Sequence, residues 1–256
     1  MNTNLPGAGA ALRISGLSFS YPARRGVLHD VGLVVRLGER VGVIGLNGSG
    51  KTTLFFLICG ILKRETGEVL VFDRPVVPGR FRPDLGLVFQ NPDDQLFSPT
   101  VGDDVAFGPL NMGLPPDEVT ARVHEALKTT GCLALRERAP HHLSGGEKRM
   151  AAIACVLAMR PRLLLYDEPD ANLDLRARRR LIQLLQASGE TMLLASHDLD
   201  LVLEVCTRVL ILDAGRVVAD GLPHEVMDDA ALMEAHGLEP PWSLRASITK
   251  PHPPKG

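Results

Sequence analysis

The stretch VGVIGLNGSGKTT, residues 41–53, decides the fold of this 256-residue chain. Its first four residues are apolar and predict a buried strand. Gly45, Gly48 and Gly50 permit a backbone turn that side chains would block, and a helix is predicted to open directly after them. In such a turn successive backbone N–H groups point inward, and the helix N-terminus adds partial positive charge. The stretch therefore predicts a phosphate-binding loop.

The pattern G-x-x-x-x-G-K-[ST] at residues 45–52 gives two side chains of this loop a chemical role. Lys51 is predicted to reach the terminal phosphates of a nucleotide, and the Thr52 hydroxyl is predicted to ligate Mg²⁺. The alternative is a glycine-rich turn that matches by accident. The strand before the pattern and the helix after it argue against that alternative, because the motif requires both.

Composition limits the class of protein. A chain of 256 residues with 45% apolar residues can bury a substantial core, as one large domain or a domain with a lobe. The formal net charge of −2 gives no electrostatic basis for a nucleic-acid partner, and none is predicted. Four clustered arginines are interpreted as the solvated face of a helix with leucines on its other face: Arg176, Arg178, Arg179 and Arg180 against Leu175, Leu181, Leu184 and Leu185.

Cysteine spacing and hydropathy indicate the compartment. Four cysteines lie far apart without a C-x-x-C pair, which suggests neither a zinc site nor a disulfide framework and fits a reducing cytosol. Residues 1–13 do not have the pattern of a secretory signal. No apolar run approaches the roughly 18 residues that cross a bilayer. Any action at a membrane is therefore expected to require a partner.

Predicted strands and helices alternate along most of the chain. Strands are predicted at residues 12–19, 31–37, 41–44, 69–72, 85–89, 163–167, 192–196, 209–212 and 217–219. Helices are predicted from residue 51 to about 60–63, at 100–111, 116–130 and 145–159, up to 188, and briefly after 196. This alternation favours a mostly parallel sheet covered on both faces.

The predicted elements divide the chain into a core, a lobe and a tail. The core covers about residues 11–90 and 160–230, and a helical lobe at about 91–159 is inserted between its strands. Together they make a nucleotide-binding domain of residues 1–230. Residues 231–256 show little periodicity and contain several prolines, so we expect a partly disordered tail that ends in PHPPKG.

The run LLLYDE at residues 163–168 supplies the groups that a hydrolase needs. Asp167, at the carboxyl end of the predicted strand, is placed to hold Mg²⁺ through water. Glu168 can polarise the attacking water. Acids are common at strand ends, so the prediction depends on the phosphate loop upstream and on ligand sites gathering at this edge of a parallel sheet.

The run LSGGE at residues 143–147 precedes a predicted helix. Ser144 is predicted as its N-cap and Glu147 as the partner in a capping box, which makes an ordinary helix start one interpretation. However, Gly145 and Gly146 lower helix stability without a packing reason. A second anion-binding helix N-terminus is the functional alternative.

Taken together, these motifs resemble the ATP-binding cassette (ABC) superfamily in order and spacing over about residues 12–223. The corresponding motifs are GLNGSGKTT as Walker A, Gln90 as the Q-loop, LSGGE as the signature, LLLYDEP as Walker B, Asp174 in the D-loop and His197 as the switch histidine. The resemblance implies an α/β P-loop NTPase fold with a mostly parallel sheet core, an antiparallel N-terminal β region and an inserted helical lobe. It also implies hydrolysis of ATP with Mg²⁺.

The resemblance implies a role for each motif residue. Tyr21 would stack on adenine; Thr52, Gln90 and Asp167 would contact Mg²⁺; Glu168, His197 and Asp167 would be catalytic. The Walker A residues would bind the nucleotide: Gly45, Leu46, Asn47, Gly48, Ser49, Gly50, Lys51, Thr52 and Thr53. For Tyr21 the alternative is a strand-end aromatic, and for His197 a surface histidine.

The signature residues imply a partner. Ser144, Gly145 and Gly146 would bind the γ-phosphate held by the opposite subunit, so that two copies sandwich two ATP molecules as a homodimer. Two positions depart from the superfamily pattern. Glu147 stands where glutamine is usual, and Leu175 stands where proline often follows the D-loop. Neither departure removes a catalytic group.

Residues 89–101 and 103–109 closely resemble the ATPase subunits of energy-coupling-factor importers, and residues 195–212 are most similar to the cobalt/nickel branch. The resemblance implies a peripheral subunit at the cytoplasmic face of the cell membrane. It would power import of cobalt or nickel through membrane-embedded subunits, with Leu96, Phe97 and Val101 as candidates to receive a partner helix. The alternatives are a vitamin importer, a cassette ATPase that acts on ribosomes or DNA, and a nucleotide-gated module without turnover.

Overall fold

Strands and helices alternate along residues 9–244, which the computed structural model describes. The strands are β1 (Ala10–Tyr21), β2 (Arg24–Arg36), β3 (Arg40–Ile44), β4 (Thr66–Val71), β5 (Arg74–Pro75), β6 (Leu85–Val88), β7 (Leu163–Asp167), β8 (Thr191–Ala195), β9 (Arg208–Asp213) and β10 (Arg216–Gly221). The helices are α1 (Lys51–Ile58), α2 (Val101–Asn111), α3 (Pro116–Thr129), α4 (Gly145–Leu157), α5 (Leu175–Ala187), α6 (Leu199–Val205), α7 (Pro223–Asp228) and α8 (Ala230–Ala235).

Two sheets organise these elements. The central sheet has six strands in the order β10-β9-β3-β8-β7-β6, and β10 is its antiparallel edge strand. The second sheet has four strands in the order β2-β1-β4-β5, all antiparallel. The predicted α/β fold, with its mostly parallel core and antiparallel N-terminal region, is confirmed.

The parallel strands β3, β8 and β7 are neighbours and end at the same edge of the central sheet. Ala195, the last residue of β8, lies opposite Val43 of β3 on one side and Asp167 of β7 on the other. The loop after β3, the acids after β7 and His197 after β8 consequently meet at this edge. Ligands bind at this edge in open α/β sheets.

Both faces of the central sheet are buried. Successive residues of each strand point to opposite faces, so each strand contributes side chains to both packed layers. On one face Val43 and Leu165 pack with α1 and the antiparallel sheet. On the other face Ile44 and Leu164 pack with residues of the helical lobe and of α5 and α6. Near-continuous apolar strands of this kind are typical of parallel sheets between two helix layers.

The predicted helical lobe is formed by α2, α3 and α4 between β6 and β7. The three helices contact one another, and α4 also contacts β6 and so joins the lobe to the sheet. Val105, Val123 and Ile153 are buried between them. The N-terminus of each helix is defined locally: Thr100 caps α2, prolines precede and begin α3, and Ser144 caps α4.

Two differences from the sequence prediction concern the start of β2 and the buried face of α5. The strand predicted to start at residue 31 begins at Arg24, because the chain reverses at residues 22–23 and Arg24 pairs directly with Tyr21. Leu175, predicted on the buried face of α5, is 86% exposed. The helix begins at this residue and buries Leu181 and Leu185 one to two turns later.

The first residues of the predicted partly disordered tail belong to a helix. α8 occupies Ala230–Ala235, and its Met233 is fully buried in the same core as the lobe helices. The Asp229 carboxylate caps this helix by accepting a hydrogen bond from the Leu232 N–H at 2.9 Å. Residues 245–256, including the PHPPKG end, lie outside the described residues.

Candidate nucleotide-binding and hydrolysis site

The loop between β3 and α1 is closed around glycines that cannot carry side chains. A Cβ on Gly45 would lie 2.1 Å from the Leu212 carbonyl oxygen, and Gly45 has φ of 153°. Gly50 has φ of 111°, and a Cβ there would lie 2.7 Å from Leu28 Cδ2. Gly50 is the N-cap of α1 and offers no side chain to its first N–H groups. Those donors are therefore available for an anion.

Lys51, the first residue of α1, is folded back over this loop. Its Nζ donates hydrogen bonds to the Gly45 carbonyl at 2.9 Å and the Leu46 carbonyl at 3.2 Å. The same atom lies 4.0 Å from Glu168 Oε1. Burial lowers the pKa of Lys51, and the nearby Glu168 and Asp167 carboxylates oppose that shift. An ammonium held at the loop by carbonyls can exchange them for phosphate oxygens.

Asp167 ends β7 with its carboxylate inside the protein. The residue is 1% exposed, and its Oδ1 has no hydrogen-bond partner among the described residues. Burial raises its pKa, and a hydrogen bond with the Thr52 side chain opposes the shift. Leaving a buried carboxylate oxygen unpaired is costly, and a bound cation would remove that cost.

The predicted Mg²⁺ site fits this donor set. Thr52 and Asp167 interact directly, and Gln90 lines the same pocket as Thr52. Hydroxyl, carboxylate and amide oxygens are the ligands that Mg²⁺ prefers, usually with several waters and substrate phosphates completing the octahedron. The unpaired Asp167 Oδ1 is the observation that favours an ion at this position.

Glu168 lies at the centre of a polar cluster. Its Oε2 accepts a hydrogen bond from Gln90 Nε2 at 2.6 Å, and its Oε1 lies 2.8 Å from His197 Nε2. His197 Nε2 in turn lies 3.5 Å from Lys51 Nζ. Glu168 has φ of 46°, a left-handed conformation that residues other than glycine rarely adopt. Such strain is concentrated at functional sites.

Gln90 is held in place by a residue that the sequence reasoning missed. Arg149 of α4 is 3% exposed and donates hydrogen bonds to the Phe89 carbonyl at 2.7 Å and the Gln90 carbonyl at 2.6 Å. The lobe is thereby tied directly to the segment that carries Gln90. The sequence gives no signal for this role, because the burial of Arg149 and its two carbonyl acceptors become known only from the structure.

Tyr21 forms one wall of the pocket that opens above the loop. Its hydroxyl lies 3.3 Å from Thr53 Oγ1, and its ring meets Phe19 edge-on at 4.9 Å. The pocket brings together residues from the β1–β2 hairpin, the loop and the acid cluster: Tyr21, Arg24, Val27, Asn47, Gly48, Gly50, Lys51, Thr52, Thr53, Gln90 and Glu168. Arg24 and Val27 were not predicted.

The LSGGE segment lies in a different place. Ser144 caps α4, and the predicted capping box is present: Glu147 N–H donates to Ser144 Oγ at 3.3 Å and Ser144 N–H to Glu147 Oε2 at 2.8 Å. The Ser144 N–H and the Ser144 hydroxyl both donate to Glu147 Oε2, and these two hydrogen bonds lower the pKa of Glu147. A second pocket is lined by this segment and by Asn172 and Asp174, and it shares no lining residue with the first. Within one chain the two half-sites are therefore not brought together.

Comparison with known proteins identifies this arrangement. The family model described as ABC transporter matches residues 28–171, more than half of the chain. The chain belongs to the ABC transporter family. A putative ABC transporter ATP-binding protein of Synechocystis is 54% identical over 92% of this chain and 83% of its own length. The energy-coupling factor transporter ATP-binding protein EcfA of Methanothermobacter thermautotrophicus is 44% identical over 90% and 76%.

A solved structure agrees with these relatives. The chain resembles cbiO1 of Clostridium perfringens, described as part of the ABC transporter complex cbiONQ, with a TM-score of 0.78 and 36% identity. The match covers 94% of this chain and 99% of that one. The chain is thus an ABC ATPase of the energy-coupling-factor type, and the predictions of the fold and of ATPase activity are confirmed.

An apolar groove of this ABC ATPase lies beside the segment that follows Gln90. Phe97 is 63% and Phe107 50% exposed, and their rings meet edge-on at 5.0 Å. Phe81, Leu87, Phe89 and Met159 continue the lining. The prediction that Leu96 and Val101 receive a partner helix is wrong, because Leu96 is 7% and Val101 0% exposed and both are buried in the core of the lobe. Phe97 alone of the three predicted residues faces this groove.

Proposed function

We propose that this ABC ATPase hydrolyses ATP to power import of a transition-metal ion, cobalt or nickel, through membrane partner subunits. The cluster of Glu168 with Gln90 and His197 at the edge of the nucleotide pocket carries the hydrolytic part of the proposal. It joins a candidate base to groups that contact the metal and the terminal phosphate. A module that only binds nucleotide does not need that cluster.

The residues of the pocket divide the work between binding and chemistry. Tyr21 stacks on adenine, the loop N–H groups surround the phosphates, and Lys51 moves from the loop carbonyls to the phosphate oxygens. Thr52, Gln90 and Asp167 hold Mg²⁺, which when bound offsets charge on the triphosphate. His197 contacts the γ-phosphate.

Glu168 activates the water. Its carboxylate accepts a proton from water while the water oxygen forms a bond to the γ-phosphorus, and the bond from that phosphorus to the oxygen of ADP breaks. The left-handed backbone at Glu168 fixes the direction of the carboxylate toward Gln90 and His197. Products are ADP and inorganic phosphate.

Measurement of phosphate release by wild type and Glu168→Gln tests the base. We expect turnover to fall by about 10²- to 10⁴-fold, the usual contribution of a general base. Glu234→Gln is the matched control, because Glu234 is exposed on α8, remote in sequence from the motifs. Equal rates for wild type and Glu168→Gln would refute the assignment.

We further propose that the active form is a homodimer with two ATP molecules between the copies. The separation of the two pockets supports it, because the Ser144, Gly145 and Gly146 half-site cannot serve the nucleotide of its own chain. Both half-sites retain their functional residues, so one chain can supply two working composite sites.

Mixing two inactive variants tests this proposal. Lys51→Ala removes the loop contact and Ser144→Arg blocks the signature, so each variant alone has no intact composite site. A mixed dimer pairs the intact loop of one copy with the intact signature of the other. We expect ATPase activity to reappear on mixing. Continued inactivity, with each variant folded, would contradict the homodimer.

The groove that contains Phe97 and Phe107 is the proposed docking surface for a helix of a membrane subunit, which would hold the ATPase at the cytoplasmic face of the membrane. Among residues 9–244 no helix is long and apolar enough to span a bilayer. Phe97→Asp is expected to abolish co-purification with membranes and leave phosphate release by the isolated protein unchanged. Leu110→Asp, at another exposed apolar side chain of α2, is the control.

The transported substrate is proposed from resemblance. Residues 195–212 favour the cobalt/nickel branch, and similarity to cbiO1 is compatible with it. A vitamin remains the alternative, because the EcfA relatives are named without a substrate. Co-purification of the membrane subunits, followed by uptake of radioactive Co²⁺ or Ni²⁺ with and without this chain, tests the proposal. Unchanged metal uptake and lost vitamin uptake would overturn it.

A further inference from the structure

Arg24 lies beside Tyr21 at the closed end of the β1–β2 hairpin. The two residues are directly paired across the antiparallel ladder, so their side chains share one face of the sheet. Both line the nucleotide pocket. Arg25, the next residue of β2, points to the opposite face by strand alternation and is also exposed. The hairpin therefore places one cation on the nucleotide side.

The guanidinium of Arg24 rests on the rim of the phosphate loop. Its Nη2 donates a hydrogen bond to the Gly48 carbonyl at 3.0 Å, and a Cβ on Gly48 would lie 3.5 Å from the same nitrogen. Within residues 9–244 no carboxylate oxygen lies within ion-pair distance of Arg24. A guanidinium has five N–H donors, so most remain for an anion.

The charges around the pocket favour such a contact. Lys51 and Glu168 are the other charged lining residues, and they lie 4.0 Å apart. Their charges oppose each other, so Arg24 supplies the net positive charge of the lining. A triphosphate retains negative charge when a divalent cation is bound. Guanidinium groups pair with phosphate oxygens through two parallel N–H···O bonds.

We propose that Arg24 is a nucleotide-binding residue whose guanidinium pairs with the α- or β-phosphate of the nucleotide. The inference rests on the proposed function, in which Tyr21 holds the base and Lys51 the terminal phosphates. Arg24 is paired with Tyr21 and bonded to Gly48, so it lies between those two ends. ATP and ADP share these phosphates, and Arg24 accordingly strengthens binding of both.

Isothermal titration of the full chain with ADP and Mg²⁺ tests the proposal. Arg24→Gln is expected to weaken binding about tenfold, the loss of one charge-assisted contact at a partly exposed site. Arg24→Lys keeps the charge without the fork and should recover part of the affinity. Arg25→Gln is the matched control and should bind ADP as wild type does.

Salt separates a phosphate contact from a purely structural clamp on Gly48. Screening weakens an exposed charge pair, so the affinity ratio of wild type to Arg24→Gln should fall toward one between about 50 and about 500 mM KCl. A clamp on the loop would leave that ratio unchanged and lower the melting temperature without nucleotide.

Three results would overturn the inference. They are ADP affinity of Arg24→Gln within twofold of wild type, a ratio independent of salt, and an equal loss in Arg25→Gln. If wild type itself binds no nucleotide, the proposed function fails as a whole. If wild type binds ADP and Arg24→Gln binds equally well, the role of Arg24 alone is refuted.

Discussion

Replacing Gly145 by alanine separates the stability of the chain from the function of its signature segment. Gly145 is the first residue of α4, and a Cβ built there meets nothing within 4 Å. Its backbone does not require the left-handed region, since its φ is not positive. The added methyl group is therefore free of clashes inside one copy.

The expected stability change is small and favourable. Alanine stabilises a helix interior by about 0.5–1 kcal/mol relative to glycine. At the first helical position we expect a gain at the lower end of that range. The melting temperature should stay constant or rise by about 1–2 °C for a chain of this size. Gly146→Ala offers a contrast, because its Cβ would lie 3.2 Å from Ala177 Cβ and some movement of α5 is required.

The expected functional change is large. In the proposed dimer the backbone at Gly145 approaches the triphosphate held by the other copy, and a methyl group would separate them. Loss of one backbone donor to a charged transition state costs about 10²- to 10³-fold in turnover. We therefore expect phosphate release by Gly145→Ala to fall about a hundredfold while its loop still binds ADP with wild-type affinity.

The assay combines thermal melting, ADP titration and steady-state phosphate release on the same preparations. Gly189→Ala is the matched control, because a Cβ at Gly189 also meets nothing within 4 Å and the residue lies in neither pocket. Turnover of Gly145→Ala within twofold of this control would refute the reasoning. The added methyl group at residue 145 would then be free of clashes in the active form as well as in one copy.

Three further predictions concern the fold around the site. Gly45→Ala should abolish nucleotide binding and destabilise the chain by about 2–4 kcal/mol in chemical denaturation, since its Cβ would lie 2.1 Å from the Leu212 carbonyl oxygen. Met233→Ala should lower the unfolding free energy by about 2–5 kcal/mol, because Met233 is fully buried. An unchanged unfolding free energy would show that α8 does not pack in the core. Burial is the largest single effect on Asp198 and would raise its pKa. The hydrogen bond and charge of Arg178 and the hydrogen bonds from the backbone N–H groups of Leu201 and Asp200 together outweigh burial, and the pKa is lowered. The carboxylate therefore stabilises the fold above its unfolded-state pKa of about 4, and the stability gap between wild type and Asp198→Asn should close as pH falls below about 4.

Sequence reasoning located the nucleotide loop because the chemistry there depends on residue types that few other structures need. Gly45 and Gly50 show why: their positive φ values and contacts below 3 Å exclude any side chain. The strand LLLYD was likewise predicted at its observed bounds, Leu163–Asp167, because a fully buried parallel strand is continuously apolar. Elements of this kind can be predicted from the local sequence alone.

The wrong or missing predictions concern features that tertiary contacts determine. Leu96 and Phe97 are adjacent apolar residues, yet one is buried and the other exposed, and sequence alone does not distinguish them. α8 is too short for helical periodicity, and burial of Met233 holds it in place. Arg24 joins the pocket because the hairpin turns two residues after Tyr21, which places it opposite that residue. The strand propensities of individual residues do not predict which residues pair across a hairpin.

The central claim is that two copies of this ABC ATPase enclose the nucleotide between the loop of one and the Ser144 segment of the other. Light scattering coupled to size exclusion measures it directly on Glu168→Gln, in which ATP hydrolysis is expected to be about 10²- to 10⁴-fold slower. With ATP and Mg²⁺ we expect a mass twice the 27.7 kDa of one chain, and a return to the single mass when Ser144→Arg is added to the same protein. A species of 27.7 kDa that retains bound ATP would contradict the claim.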